Sequence, residues 1–248
     1  MSASPLHSQK VVIIGGTSGI GFAVAQAALA EGAQVVVASS QAANVEASVS
    51  GLGEGAQGSR VTGASVNVRD EADVARLFEG VGALHHLVFT AGDWGAFGGG
   101  RLADTDLSAA AAAFTIRFWG ALAAIKHASP LIADGGSITL TDGMIAHRPR
   151  KGAAIASAMA GAVEHLTRAL AVDLAPVRVN AVCPGLVLTD NNKAVPPERQ
   201  QRLLRMTEGQ PLARGAEPWE VAQAYLYLMR GGYTTGQVLL VDGGRSVV

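Results

Sequence analysis

Short β-branched runs alternate along the chain with longer, alanine-rich stretches. Val11–Ile14 is wholly apolar and bounded by polar residues and glycine, which predicts a parallel strand buried on both faces. Ile20–Ala30 then reads as a helix ended by Gly32. Gln34–Ala38 and Val61–Val66 predict the second and third strands. Asp70–Glu79 predicts a helix capped by Asp70, with Val74, Leu77 and Phe78 on one face. Leu87–Thr90 is the fourth strand, Ser108–Ala128 a long helix and Ser137–Thr141 the fifth strand. Ala153–Leu174 is a second long helix, ended by Pro176. Val177–Val182, a helix at Pro218–Met229 and a last strand at Gln237–Val241 complete the pattern. Seven strands alternating with helices predict an α/β fold, a parallel sheet with helices on both faces. Residues 1–9 read as a flexible N-terminus and 10–248 as one domain. The stretch 186–215 lacks strand character and carries one helical piece, Glu198–Met206, which suggests a lid.

Composition narrows the function classes. Of 248 residues 49% are hydrophobic and 16% charged, which excludes disorder. A net charge of −1 offers no field for nucleic acid. No apolar run long enough to span a membrane is read, and no signal peptide, so the expected setting is cytoplasmic without a membrane partner. The single cysteine, Cys183, excludes a disulfide scaffold and reads as buried and inert. The His85-His86 pair lacks ligand spacing, so no metal is expected.

The chemistry-bearing motif lies at the first strand–helix junction. Gly15-Gly16-Thr17-Ser18-Gly19-Ile20-Gly21 has G-x-x-x-G-x-G spacing. Glycine permits a sharp turn and close approach of backbone N–H groups to a pyrophosphate, and the helix N-terminus adds about half a positive charge. This predicts a dinucleotide site.

Together with Phe89-Thr90-Ala91-Gly92, Gly136-Ser137-Ile138, Val179–Gly185 with Thr189, and the ending Thr235-Gly236-Gln237 to Val241-Asp242-Gly243-Gly244, the motif resembles the classical short-chain dehydrogenase/reductase family over nearly the whole chain. The resemblance implies a single-domain, Rossmann-type, doubly wound sheet of seven strands. It implies that Gly15, Thr17, Ser18, Gly19 and Ile20 line the cofactor pyrophosphate. Asn67 and Val68 would flank the adenine, and Ala91 and Gly92 the ribose. Pro184, Gly185, Val187 and Thr189 would hold the nicotinamide end. No acidic residue follows the second strand, where Ser39 and Ser40 stand, so NADP is favoured over NAD, which stays open. The family's tetramers imply a homo-oligomer, a tetramer first and a dimer second.

The chain departs from the family where the chemistry is done. The usual Ser, Tyr and Lys positions align with Gly143, Ala156 and Ala160, and the usual helix Asn with Arg117. No register slip restores the motif. The three tyrosines are Tyr225, Tyr227 and Tyr233, and Lys151 is the only lysine between 127 and 192. Asp142, Arg117 and His147 are the candidate replacements, with Arg117 orienting a small-molecule substrate and Asp142 or His147 handling a proton. Arg117 as a surface or subunit-interface ion pair and His147 as a solvated loop residue are the plainer alternatives. Trp94, Phe97, Phe118 and Trp119 are candidates for shaping the pocket, the last two equally for helix packing. The expected function is NAD(P)-dependent hydride transfer to or from a small organic substrate (carbonyl, imine or activated alkene) at an atypical site. A silent nucleotide-binding protein and a non-redox catalyst on the same scaffold stay open.

Overall fold

A computed structural model describes residues 6–53, 60–92, 100–189 and 196–248. Its seven strands are β1 (Lys10–Ile14), β2 (Gln34–Ser39), β3 (Val61–Ser65), β4 (Leu84–Phe89), β5 (Ile132–Thr141), β6 (Arg178–Pro184) and β7 (Val238–Val241). They form one parallel sheet in the order β3-β2-β1-β4-β5-β6-β7. The order reverses between β1 and β4, so the crevice above their C-terminal ends is where such a sheet binds ligands.

The continuous apolar runs fill two cores. Val11 and Ile13 of β1 face helices α1 (Gly19–Ala30), α2 (Ala42–Leu52) and α8 (Pro218–Arg230). Val12 and Ile14 face α3 (Glu71–Val81), α5 (Ala121–Ala128) and α6 (Ala154–Asp173). Alternation along one strand thus serves both helical layers. Asp70 caps α3 by accepting from the Ala72 N–H at 3.0 Å. α4 (Leu107–Phe114) leads towards α5, and α7 (Pro197–Arg205) lies within the expected lid.

Three expectations are corrected. α2 lies where the hydrophobic pattern predicts no element; its Ala-Ala-Asn-Val-Glu-Ala-Ser-Val-Ser-Gly-Leu sequence mixes poor helix formers, and only Val45, Ser48 and Leu52 are buried. The expected helix Ser108–Ala128 is not uniform, because Thr115–Gly120 winds as a π segment between α4 and α5. Leu107–Leu131 as a whole is long and apolar enough to match a membrane span by length and composition. Ala121, Ala124, Ile125 and Ala128 nonetheless pack onto the sheet, as core-helix residues do.

His86 lies inside β4 rather than before it. Its Nδ1 meets the Ser137 hydroxyl at 2.8 Å and its Nε2 the Gln9 side-chain oxygen at 2.7 Å. Gln9 accepts, so Nε2 carries the proton and Nδ1 accepts from Ser137. Burial, then the positive charge of Arg178, holds the His86 pKa down to about 3. The unfolded chain takes up this proton below pH 6.5 and the folded one does not, so stability falls as pH drops below 6.5. A series of Tm values at decreasing pH should show this fall, and His86→Gln should flatten it.

Candidate active site

Gly15 has φ +90°, and a Cβ there would lie 2.5 Å from the Ala91 nitrogen and 2.7 Å from the Thr90 hydroxyl. A Cβ on Gly21 would overlap the Gly15 carbonyl oxygen. Gly19, at φ +52°, comes so close to Thr189 that a Cβ would stand 2.9 Å from its methyl carbon. Glycine is therefore required sterically where the end of β1, the end of β4 and the loop after β6 converge. The Thr90 hydroxyl donates to the Gly15 carbonyl at 3.1 Å, tying the end of β4 to the loop. Ser18 is the N-cap of α1, yet its side chain makes no capping bond. The first N–H groups of α1, beside Ile20, thus have no side-chain cap, as an anion site requires. Thr17 lies in the same loop.

The remaining cofactor candidates surround this cradle. Ser39 ends β2, and Ser40 follows it, exposed. Asn67 donates its N–H to Asp73 at 2.7 Å and accepts the Arg69 N–H at 3.1 Å, so its backbone is fixed. Val68 packs against Gly120 of the π segment, where a Cβ would stand 3.0 Å away. Ala91 and Gly92 follow β4. Pro184 ends β6, and Gly185 donates to the Val241 carbonyl at 2.9 Å. Val187 bridges to Ala216, and the Thr189 N–H donates to the Val187 carbonyl at 3.0 Å. Trp94, Phe97 and positions 190–195 of the expected lid lie outside the described residues.

Arg117 is 4% exposed and comes from the π segment. Its guanidinium lies so close over Gly92 that a Cβ there would overlap it. Arg117 is thus not a surface side chain: the π segment carries it inward, to the end of β4. Trp119 is 59% exposed and meets the half-buried Phe118 edge-on at 5.0 Å.

Asp142 follows β5 at its C-terminal end and is 1% exposed. The Glu164 carboxyl from α6 and the Cys183 thiol from β6 face it. The turn after β5, closed by Ala146 N–H to Gly143 and Arg148 N–H to Met144, brings His147 back onto the same spot. One donor or acceptor atom from each of Asp142, His147, Glu164 and Cys183 lies within 4.8 Å of the others. His147 Nε2 stands 2.5 Å from Glu164 Oε1, and Arg168 reaches Glu164 Oε2 at 3.5 Å. His147 is thus paired rather than simply solvated. Neither Asp142 oxygen completes a hydrogen bond among the described residues. Burial first, then the Glu164 carboxyl, pushes the Asp142 pKa up to about 8. Burial and the two carboxylates push the Cys183 thiol up, so it is no nucleophile.

Sequence reading missed Glu164 and the position of Tyr225. Glu164 lies one turn beyond Ala160 and two beyond Ala156 on the same side of α6. That i+4 spacing was the signal available. Tyr225, from α8, places its hydroxyl 2.7 Å from Thr141, which donates to the Phe89 carbonyl at 2.8 Å. A tyrosine therefore does reach the end of β5, from the opposite layer. It is fully buried and burial drives its ionisation upward, so it acts as a brace. Tyr225→Phe should cost about 1 kcal/mol, read as a lower midpoint in denaturant unfolding.

Comparison with known proteins agrees with this geometry. The model described as enoyl-(acyl carrier protein) reductase matches residues 15–246. A short-chain dehydrogenase/reductase of Stachybotrys chlorohalonatus, ATR9, is 33% identical over 96% of this chain and 97% of its own. The solved MalC reductase/Diels-Alderase of Malbranchea aurantiaca superposes with a TM-score of 0.91 at 33% identity, covering 100% of this chain and 99% of that one. A small-chain dehydrogenase solved with NADPH gives a TM-score of 0.80 at 32% identity, covering 97% and 100%. With the nucleotide cradle at the β1–β4 switch point and these relatives spanning its length, the chain belongs to the short-chain dehydrogenase/reductase family of oxidoreductases.

Proposed function

We propose that this chain is an NADPH-dependent reductase in which Asp142 takes the place of the family's tyrosine as proton donor and Arg117 orients the substrate. The observation that carries the reading is Asp142, buried at the C-terminal end of β5 with Glu164 of α6 facing it, in a chain whose α6 has Ala156 and Ala160 where the family's tyrosine and lysine would align. The glycine loop suits a dinucleotide, because Gly15, Gly19 and Gly21 let the ends of β1 and β4 and the loop after β6 close together, and Ser18 leaves the first N–H groups of α1 without a side-chain cap. The bound nicotinamide supplies the hydride. Gly15, Thr17, Ser18, Gly19 and Ile20 would hold the pyrophosphate, Ser39 and Ser40 would donate to a 2′-phosphate, and Pro184, Gly185, Val187 and Thr189 would hold the nicotinamide end. No acidic side chain at Ser39 or Ser40 repels that phosphate, and the NADPH-bound relative supports the same choice.

The substrate class that suits this site is a ketone, imine or iminium. A carboxylic acid held protonated near neutral pH can donate to a developing alkoxide or amide nitrogen. An N-alkyl iminium needs no proton at all, because hydride alone neutralises it. The likeness to MalC, a reductase and Diels-Alderase, supports a substrate beyond simple ketones and keeps non-redox catalysis on the same scaffold as a second reading. The described residues 196–215, with α7, form part of the lid in this reading, and outward Leu107 and Trp119 with the C-terminal Val247 and Val248 suit a homo-oligomer.

Fluorescence titration with NADPH and NADH tests binding, with NADPH the tighter. Oxidation of NADPH across ketones, cyclic imines and N-alkyl iminium salts then tests turnover. Binding without oxidation across the whole series would establish the silent nucleotide-binding protein instead.

A further inference from the structure

We propose that Glu164 and His147 form the path along which protons from solvent reload Asp142. The proposal rests on the reading of Asp142 as the proton donor. Each reduction of a ketone leaves Asp142 as a carboxylate. That carboxylate is 1% exposed, so it cannot take its proton from bulk water directly. Glu164, 7% exposed, lies against it from α6. His147 touches Glu164 at 2.5 Å, and its side chain is 31% exposed. The three groups thus run from the buried site to solvent in order.

The proton balance closes without a further reactant. Asp142 gives its proton to the oxygen of the reduced carbonyl. Glu164 passes a proton to Asp142, His147 replaces it, and the imidazole recovers its own from water. The other groups facing this path are the Cys183 thiol from β6, held un-ionised, and Arg168, which keeps Glu164 in place from one turn along α6. Arg117 and Tyr225 stand at the edge of the same field. A bound divalent metal is disfavoured by the His147–Glu164 contact. Two ligands of a tetrahedral zinc stand roughly 3.3 Å apart, whereas these two atoms stand 2.5 Å apart.

The test follows the carboxyl C=O stretch of Asp142 by infrared spectroscopy of the intact protein, assigned by its loss in Asp142→Asn. After a rapid drop in pH, reappearance of the band should slow at least tenfold in Glu164→Gln and in His147→Ala. Added imidazole should restore the rate in His147→Ala alone. His147 is partly exposed, so this variant tests the path even if Glu164→Gln fails to fold. With a ketone as substrate, the same variants should show a first turnover at the parent rate followed by slow steady-state turnover. Unchanged reprotonation in His147→Ala, or stoichiometric zinc found by mass spectrometry of the purified protein, would overturn the path. Failure of the donor reading looks different: Asp142→Asn would then reduce ketones at the parent rate, whatever the reprotonation kinetics.

Discussion

Replacing Asp142 by Asn is expected to lower NADPH-dependent ketone reduction by about 10²–10⁴-fold, the usual worth of a positioned general acid. Reduction of an N-alkyl iminium should fall far less, because that reaction consumes no proton. The ratio of the two rates separates loss of a donor from general damage to the site. The parent ketone activity should also fall as pH rises through about 8, where Asp142 gives up its proton. The same group shapes stability. In the unfolded chain Asp142 ionises near 3.8, whereas in the folded protein it keeps its proton up to about 8. The folded state holds the extra proton across that window, so stability falls as pH rises through it. Asp142→Asn should remove this fall and unfold at a higher Tm than the parent at pH 8, trading activity for stability.

Gly21→Ala is expected to weaken NADPH binding about 10–100-fold, equivalent to roughly 1.4–2.8 kcal/mol. The new methyl group would overlap the Gly15 carbonyl and press on the Thr90 hydroxyl, 2.5 Å away. The loop must then move off the line that aims the α1 N–H groups at the pyrophosphate. Overpacking at a tight site costs about 1–3 kcal/mol, so Tm should drop as well. Ala25, buried on the same helix one turn further, is the control position: Ala25→Gly should lower Tm without a comparable change in NADPH affinity. Equal affinities in parent and Gly21→Ala would show that the glycine serves packing alone.

The sheet was legible because buried parallel strands leave an apolar run, and Val11–Ile14 feeds both cores with alternate residues. The cradle was legible because glycine spacing records a steric demand that the structure places at Gly15, Gly19 and Gly21. α2 was not, because its burial rests on three residues scattered among serines and a glycine. The π segment was not, because nothing in Thr-Ile-Arg-Phe-Trp-Gly distinguishes it from an α-helix, yet it is what turns Arg117 inward. Asp142 was readable from its place after an apolar strand. His147 was readable beside it, but Glu164 and Cys183 were not recognisable as its partners, since they come from separate segments and meet it only through the packing of α6 and β6 on β5. Tyr225 shows the same limit from the other side. Counting tyrosines correctly excluded one from α6 but gave no sign that α8 would bring one to Thr141.

The central claim is that Asp142 donates the proton in a hydride transfer. Its most direct test is reduction of a ketone and of an N-alkyl iminium salt with NADPH carrying deuterium at C4, read by mass spectrometry of the products. The parent should place one deuterium in both products, and Asp142→Asn should lose the alcohol while still labelling the amine. Equal labelled alcohol from parent and variant, or no labelled product from the parent despite tight NADPH binding, would contradict it.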